Sequence, residues 1–121
     1  MPDDTTDGAR AETLAARFLT ARGLSVLARN YRVRGGEIDL VCADHGTLVF
    51  VEVRLRRRGD FGGAAASVTA AKRRRLVLAA RHYLARTHRP EAPCRFDCVL
   101  LSGLNAADID WVRNAFGTDD A

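Results

Sequence analysis

Hydrophobic positions recur along the chain with two periods. From Gly8 to Arg22 the apolar residues Leu14, Ala15, Phe18, Leu19 and Ala21 fall at helical spacing, and Gly23 supplies a stop. Leu24–Asn30 reads as a strand, followed by a polar turn holding Arg32, Arg34, Gly35 and Gly36. The stretch GEIDLVCAD then alternates with period two, and so does LVFVEVRLR after a short Asp-His-Gly-Thr turn, which predicts a β-hairpin. The second hairpin strand is apolar on both faces over its first half, so it is expected at the centre of a sheet covered on both sides. Residues 56–66 are glycine-rich and basic, the pattern of a mobile surface loop. A helix from Ser67 or Thr69 to Arg86, a strand over Arg95–Leu101 and a short edge strand over Ile109–Val112 complete the chain. The order α-β-β-β-α-β-β predicts an α/β fold, a mixed sheet flanked by two helices. One domain is expected over 8–117, with disordered tails at 1–7 and 118–121.

The hairpin carries three acids in apolar surroundings. If His45-Gly46 is the two-residue loop, Asp44 faces Thr47, and counting back sets Asp39 opposite Glu52 and Glu37 opposite Arg54. Opposed residues have Cβ atoms about 4.5–5.5 Å apart on one face. Two carboxylates at that distance repel unless one takes a proton or a cation lies between them. A divalent ion resolves the conflict, since Mg²⁺ takes one or two carboxylates plus waters and leaves positions for phosphate oxygens. Arg54, on the same face as Glu52, can then offset negative charge on a phosphate. The alternative is a solvated sheet face with Glu37 and Arg54 as a plain cross-strand ion pair.

Composition narrows the chemistry further. The 121 residues are 47% apolar and 28% charged, which is globular. No apolar run nears the roughly 20 residues of a membrane span, and MPDDTTDGAR lacks the apolar core of a secretion signal, so a cytoplasmic protein is expected. Cys42, Cys94 and Cys98 form no CxxC pair and suggest neither disulfides nor zinc. Net charge is +4, and of the 19 basic residues one alone, Lys72, is lysine. Arg32 and Arg34 precede the hairpin, Arg56, Arg57 and Arg58 follow it, and Lys72, Arg73, Arg74 and Arg75 open the second helix. Gathered on one cleft they would track a phosphodiester backbone; scattered, they are an ordinary solvated surface.

GEIDLV, a turn, then FVEVR and Arg56 resemble the YraN-like family of small bacterial proteins. So do Gly8 and Glu12, Arg29-Asn30-Tyr31-Arg32, Phe61-Gly62, Lys72 with Arg75-Leu76, Arg95-Phe96-Asp97 and Asn114-Ala115-Phe116. The resemblance spans Gly8 to Phe116 and implies a restriction-endonuclease-like core, similar to that of archaeal Holliday-junction resolvases. It assigns Asp39 and Glu52 to the superfamily's acidic motif, adds Glu12 on the first helix and the Val53 carbonyl as ligands to Mg²⁺ or Mn²⁺, and leaves Glu37 as an assisting acid. Arg54 stands where the superfamily has lysine. Arginine does not give up its proton in proteins, so it can neutralise charge but not act as a base. Lys72 is therefore a candidate to supply the missing ammonium, the alternative being a surface lysine on a solvated helix turn.

Two functions follow from different classes. One is a nucleic-acid-binding, Mg²⁺-dependent endonuclease for structured or branched DNA, working as a homodimer because resolvases cut two symmetric strands. The other is a non-catalytic nucleic-acid-binding or scaffolding protein that keeps the fold.

Overall fold

The computed structural model describes residues 6–56 and 68–117. The elements run α1 (Asp7–Ala21), β1 (Ser25–Val33), β2 (Gly36–Asp44), β3 (Thr47–Leu55), α2 (Ala70–Arg86), β4 (Cys94–Leu101) and β5 (Ile109–Phe116), with one turn of 3-10 helix at Ala106–Asp108. This is the expected α-β-β-β-α-β-β order. The strands form one five-stranded sheet in sequential order. Pairing is antiparallel except for β3 and β4, which run parallel. A parallel step needs a crossover, and α2 lies within that connection.

β3 is the central strand, and its two apolar faces feed two cores. Phe50 joins Phe96, Cys98 and Phe116 beneath Leu76, Ala79 and Ala80 of α2. Val49 and Val51 join Val99 and Leu101 beneath Ala11, Ala15 and Leu19 of α1. No described helix is long and apolar enough to cross a membrane.

The hairpin register is the one read from its turn, running from Asp44–Thr47 to Leu40–Val51. His45 and Gly46 both take positive φ, 49° and 89°, as a two-residue turn of this twist requires. Element ends shift where capping or long-range contacts decide them. The Thr6 hydroxyl accepts from the Ala9 amide, so α1 begins at Asp7. β1 continues past Asn30 to Val33, which pairs with Gly36, so Arg32 lies in a strand instead of the expected turn. β5 reaches Phe116, whose ring stacks on Phe96 at 5.0 Å. The expected loop lies outside the described residues from Arg57 onward, as do the expected tails apart from Thr6 and Asp7.

Gly36 fixes how α2 sits over β2. A Cβ there would come within 2.6 Å of the Arg75 carbonyl oxygen and 3.1 Å of the Ala79 amide nitrogen, both backbone atoms that cannot swing away. Gly36→Ala should therefore push α2 off the sheet and cost about 1–3 kcal/mol, read by urea denaturation. An unchanged midpoint would show that the helix can shift freely.

Among the described residues Asp97 is the fully buried charged side chain, 1% exposed. Arg95 Nε donates to both its oxygens at 3.0 and 3.2 Å, Trp111 Nε1 to Oδ2 at 2.9 Å, and the Asn114 amide to Oδ1 at 2.9 Å. Arg95 also donates through Nη2 to Asp44 Oδ2 at 3.0 Å.

Candidate functional site

The site begins with a break in strand alternation. Ile38 packs in the core under α2 and Leu40 in the core under α1, although two residues apart in a regular strand would share a face. The opposing strand breaks at the same level. Arg29 pairs with Leu40 and Tyr31 with Ile38, and Asn30 between them takes the left-handed conformation, φ 51°. Asparagine is among the few residues that tolerate it. Asp39 sits at this twist, where the β2–β3 ladder ends. Its Oδ2 accepts from the Val53 amide at 2.8 Å, a side-chain bond at the end of the backbone ladder.

Glu52 meets Asp39 from β3, and the two carboxyl groups share a hydrogen bond. Burial raises both. Glu52 is pushed up to about 8 by burial and then by the Asp39 charge, against the opposing pull of Lys72 and Arg54. Asp39 is raised by burial and restrained by its bonds from the Val53 amide and Glu52. Near neutral pH the pair therefore holds a proton where two ionised acids would repel.

Two further groups approach from the two layers. From α1 comes Glu12, whose pKa is raised by burial and then by Asp39, while Arg29, the Asn30 side chain and Arg32 lower it. Its Oε1 is buried with no hydrogen-bond partner among the described residues. From α2 comes Lys72, with Nζ 3.8 Å from Glu52 Oε1; its side chain is 37% exposed and that of Glu52 12%. Thr69 caps this helix, accepting from the Lys72 amide at 3.3 Å, and so sets where the lysine leaves the backbone. Glu37, Glu52, Lys72, Arg75 and Leu76 line a crevice of about 20 Å³, room for one water or ion.

Other sequence candidates scatter. Glu37 does not face Arg54. It pairs with Arg32 at 3.7 Å and Arg75 at 3.8 Å, because the β2–β3 ladder stops at Leu40–Val51 and α2 reaches over β2. Arg54 bears electrostatically on Glu52. The Val53 group seen at the site is its amide, whereas the resemblance assigns its carbonyl. Arg73 turns inward: Nε donates to the Val68 carbonyl at 2.9 Å, and its guanidinium lies over Phe116. Arg34 and Arg74 are exposed, the Arg56 amide is tied to the Leu101 carbonyl, and Arg57 and Arg58 lie outside the described residues.

Of the basic residues expected to open α2, Arg75 joins Lys72 in lining the crevice, whereas Asn30 was not a site candidate from the sequence. Arg75 stands one helical step from Lys72, so i,i+3 spacing was a usable signal. Asn30 gave none, since its role depends on the twist.

Among the described residues, no three His, Cys, Asp or Glu side chains form a ready-made metal cage. The donor set nonetheless suits a hard divalent ion. Such an ion needs only one or two carboxylates, would remove the repulsion within the Asp39–Glu52 pair, and would give the orphaned Glu12 oxygen a partner directly or through water.

Residues 11–101 match the uncharacterised protein family UPF0102. A UPF0102 protein of Dechloromonas aromatica is 57% identical over 120 residues, covering 98% of this chain and 96% of the relative. UPF0102 proteins of Nitrosomonas europaea and Methylobacillus flagellatus are each 56% identical over 109 residues, covering 90% of this chain and 92% and 95% of the relatives.

Proposed function

The chain belongs to the UPF0102 family, and from that premise we propose that it is a nucleic-acid-binding protein and a Mg²⁺- or Mn²⁺-dependent endonuclease acting on structured or branched DNA. The carrying observation is the largely buried Asp39–Glu52 pair, flanked by the orphaned Glu12 oxygen from α1 and the Lys72 ammonium from α2. Asp39, Glu52 and Glu12 would hold the ion. When bound, a divalent ion polarises a phosphodiester and lowers the pKa of a coordinated water.

The chain's own residues supply the rest. The Val53 amide orients Asp39. Lys72 and Arg54 place two fixed positive charges beside Glu52, where they would offset charge gathering on phosphate oxygens. Arg32 and Arg75, both paired with Glu37 beside the crevice, would engage the backbone without reading sequence. Hydrolysis joins the water oxygen to phosphorus, breaks one P–O ester bond and leaves a proton on the departing oxygen. Two symmetric cuts call for two copies, so a homodimer belongs to this proposal.

The test is a panel of branched, nicked and linear DNA with and without Mn²⁺, with the Asp39→Ala, Glu52→Ala double variant as control for contaminating nuclease. Metal-dependent cuts lost in the double variant are expected. Lys72→Ala should slow cleavage at least about 100-fold, the scale of one charge-stabilising group; full activity in that variant removes Lys72 from the mechanism. The second reading, a non-catalytic binder, draws on Arg54 in the lysine position. Binding with no cleavage of any substrate decides for it.

A further inference from the structure

A second surface lies across α1, on the layer opposite Lys72. Arg10, Thr13, Leu14, Arg17 and Leu104 line a groove of about 380 Å³ between this helix and the connection leading to β5. Leu14 and Leu104 form an apolar floor against the core under α1. Arg10 and Arg17 are exposed on the rim, about 10 Å apart along the helix axis. One turn past Leu14, Phe18 meets Trp111 of β5 edge-on at 6.3 Å. Each ring is covered by a guanidinium: Arg22 lies 3.5 Å over Phe18 and Arg113 lies 4.1 Å over Trp111.

Among the described residues, no acid lies within ion-pair distance of the guanidinium groups of Arg10, Arg17, Arg22 and Arg113. Rim charges spaced along a helix suit successive phosphates of one strand. An apolar floor and guanidinium planes already seated on aromatic rings suit exposed base faces, which stack on either. A duplex hides its bases from such a surface, and the carboxylates of an acidic peptide bring charge without aromatic faces to stack on it.

We propose that this α1–β5 surface binds an unpaired nucleic-acid strand. The inference rests on the nucleic-acid reading of the carboxylate site and deepens it. A substrate with both duplex and single-stranded parts could lie over α2 with its duplex and over α1 with its free strand. The surface adjoins the carboxylate site through Thr13, the neighbour of Glu12; the Thr13 hydroxyl accepts from Arg29 Nη2 at 3.2 Å.

The chain's single tryptophan is Trp111, so binding can be read directly from its fluorescence. Titrating the full chain with an oligothymidylate should quench Trp111. Arg17→Glu with Arg113→Glu should weaken binding at least about 10-fold and lower the slope of log K against log salt by about 1.4, two contacts at about 0.7 each for single strands. Arg10→Gln with Arg17→Gln, a milder pair, should act in the same direction. Quenching unchanged in both variants overturns the proposal, and so does equal quenching by polyglutamate at matched charge. Oligothymidylate that leaves Trp111 unquenched while metal-dependent cleavage of DNA persists overturns this inference alone. Quenching without metal-dependent cleavage of any DNA supports it while overturning the nuclease reading.

Discussion

Asp97→Ala is expected to lower the unfolding free energy by about 3–5 kcal/mol, enough to leave a domain of this size barely folded. The carboxylate is 1% exposed and receives bonds from Arg95, from the Trp111 indole and from the Asn114 amide. Removing it leaves the half-buried Trp111 indole N–H and the Asn114 backbone N–H without their acceptor, and deprives Arg95 of one of its two acids. Each orphaned group costs about 1–3 kcal/mol. Asp97→Asn should cost less, because one amide oxygen still serves Trp111 or Asn114 while the NH₂ confronts Arg95. Urea denaturation followed by Trp111 fluorescence checks both. Equal and small losses for the two variants would show that water replaces the carboxylate and that β5 is not held through it.

Arg95-Phe96-Asp97 was legible as a signature, but its physical role was not. An acid within a strand declares nothing about its partners. Those of Asp97 come from β5, 14 and 17 residues away, with Arg95 beside it on its own strand. Local patterns carried much of the rest. Two faces of apolar residues on 48–51 placed β3 at the centre, and the Asp-His-Gly-Thr turn set a register that brings Asp39 beside Glu52. Counting by that register failed at Glu37, because it assumes the ladder continues. The twist at Asn30 and Asp39 ends it, and the twist arises where one strand must pair on one side and open on the other. The proximity of Lys72 was raised by its being the sole lysine, yet only packing of α2 against Gly36 and the cores brings it over Glu52. Phe18, Trp111 and their arginines gave no signal, being scattered over nearly the whole chain.

The second large effect concerns the carboxylate pair in protein stripped of divalent ions by chelator. The folded-state pKa of Glu52 is raised to about 8 by burial and Asp39. The folded state thus holds a proton that the unfolded chain, with glutamate near 4.5, releases. Between those values the native state binds more protons, so stability is full below about 4.5, falls as pH rises, and levels off above about 8. The loss is on the order of a few kcal/mol. Glu52→Gln keeps the shape and a donor to Asp39 but cannot ionise. It is expected to be more stable than the parent at pH 8 and to have a flatter stability–pH curve. Mg²⁺ or Mn²⁺ should restore stability to the parent at pH 8 and do little for the variant, since a cation between two ionised acids removes the repulsion that the substitution also removes. A parent indifferent to both ions, with the same pH curve as the variant, would mean that the pair is relieved by solvent. A divalent ion would then have no electrostatic reason to settle at Asp39 and Glu52.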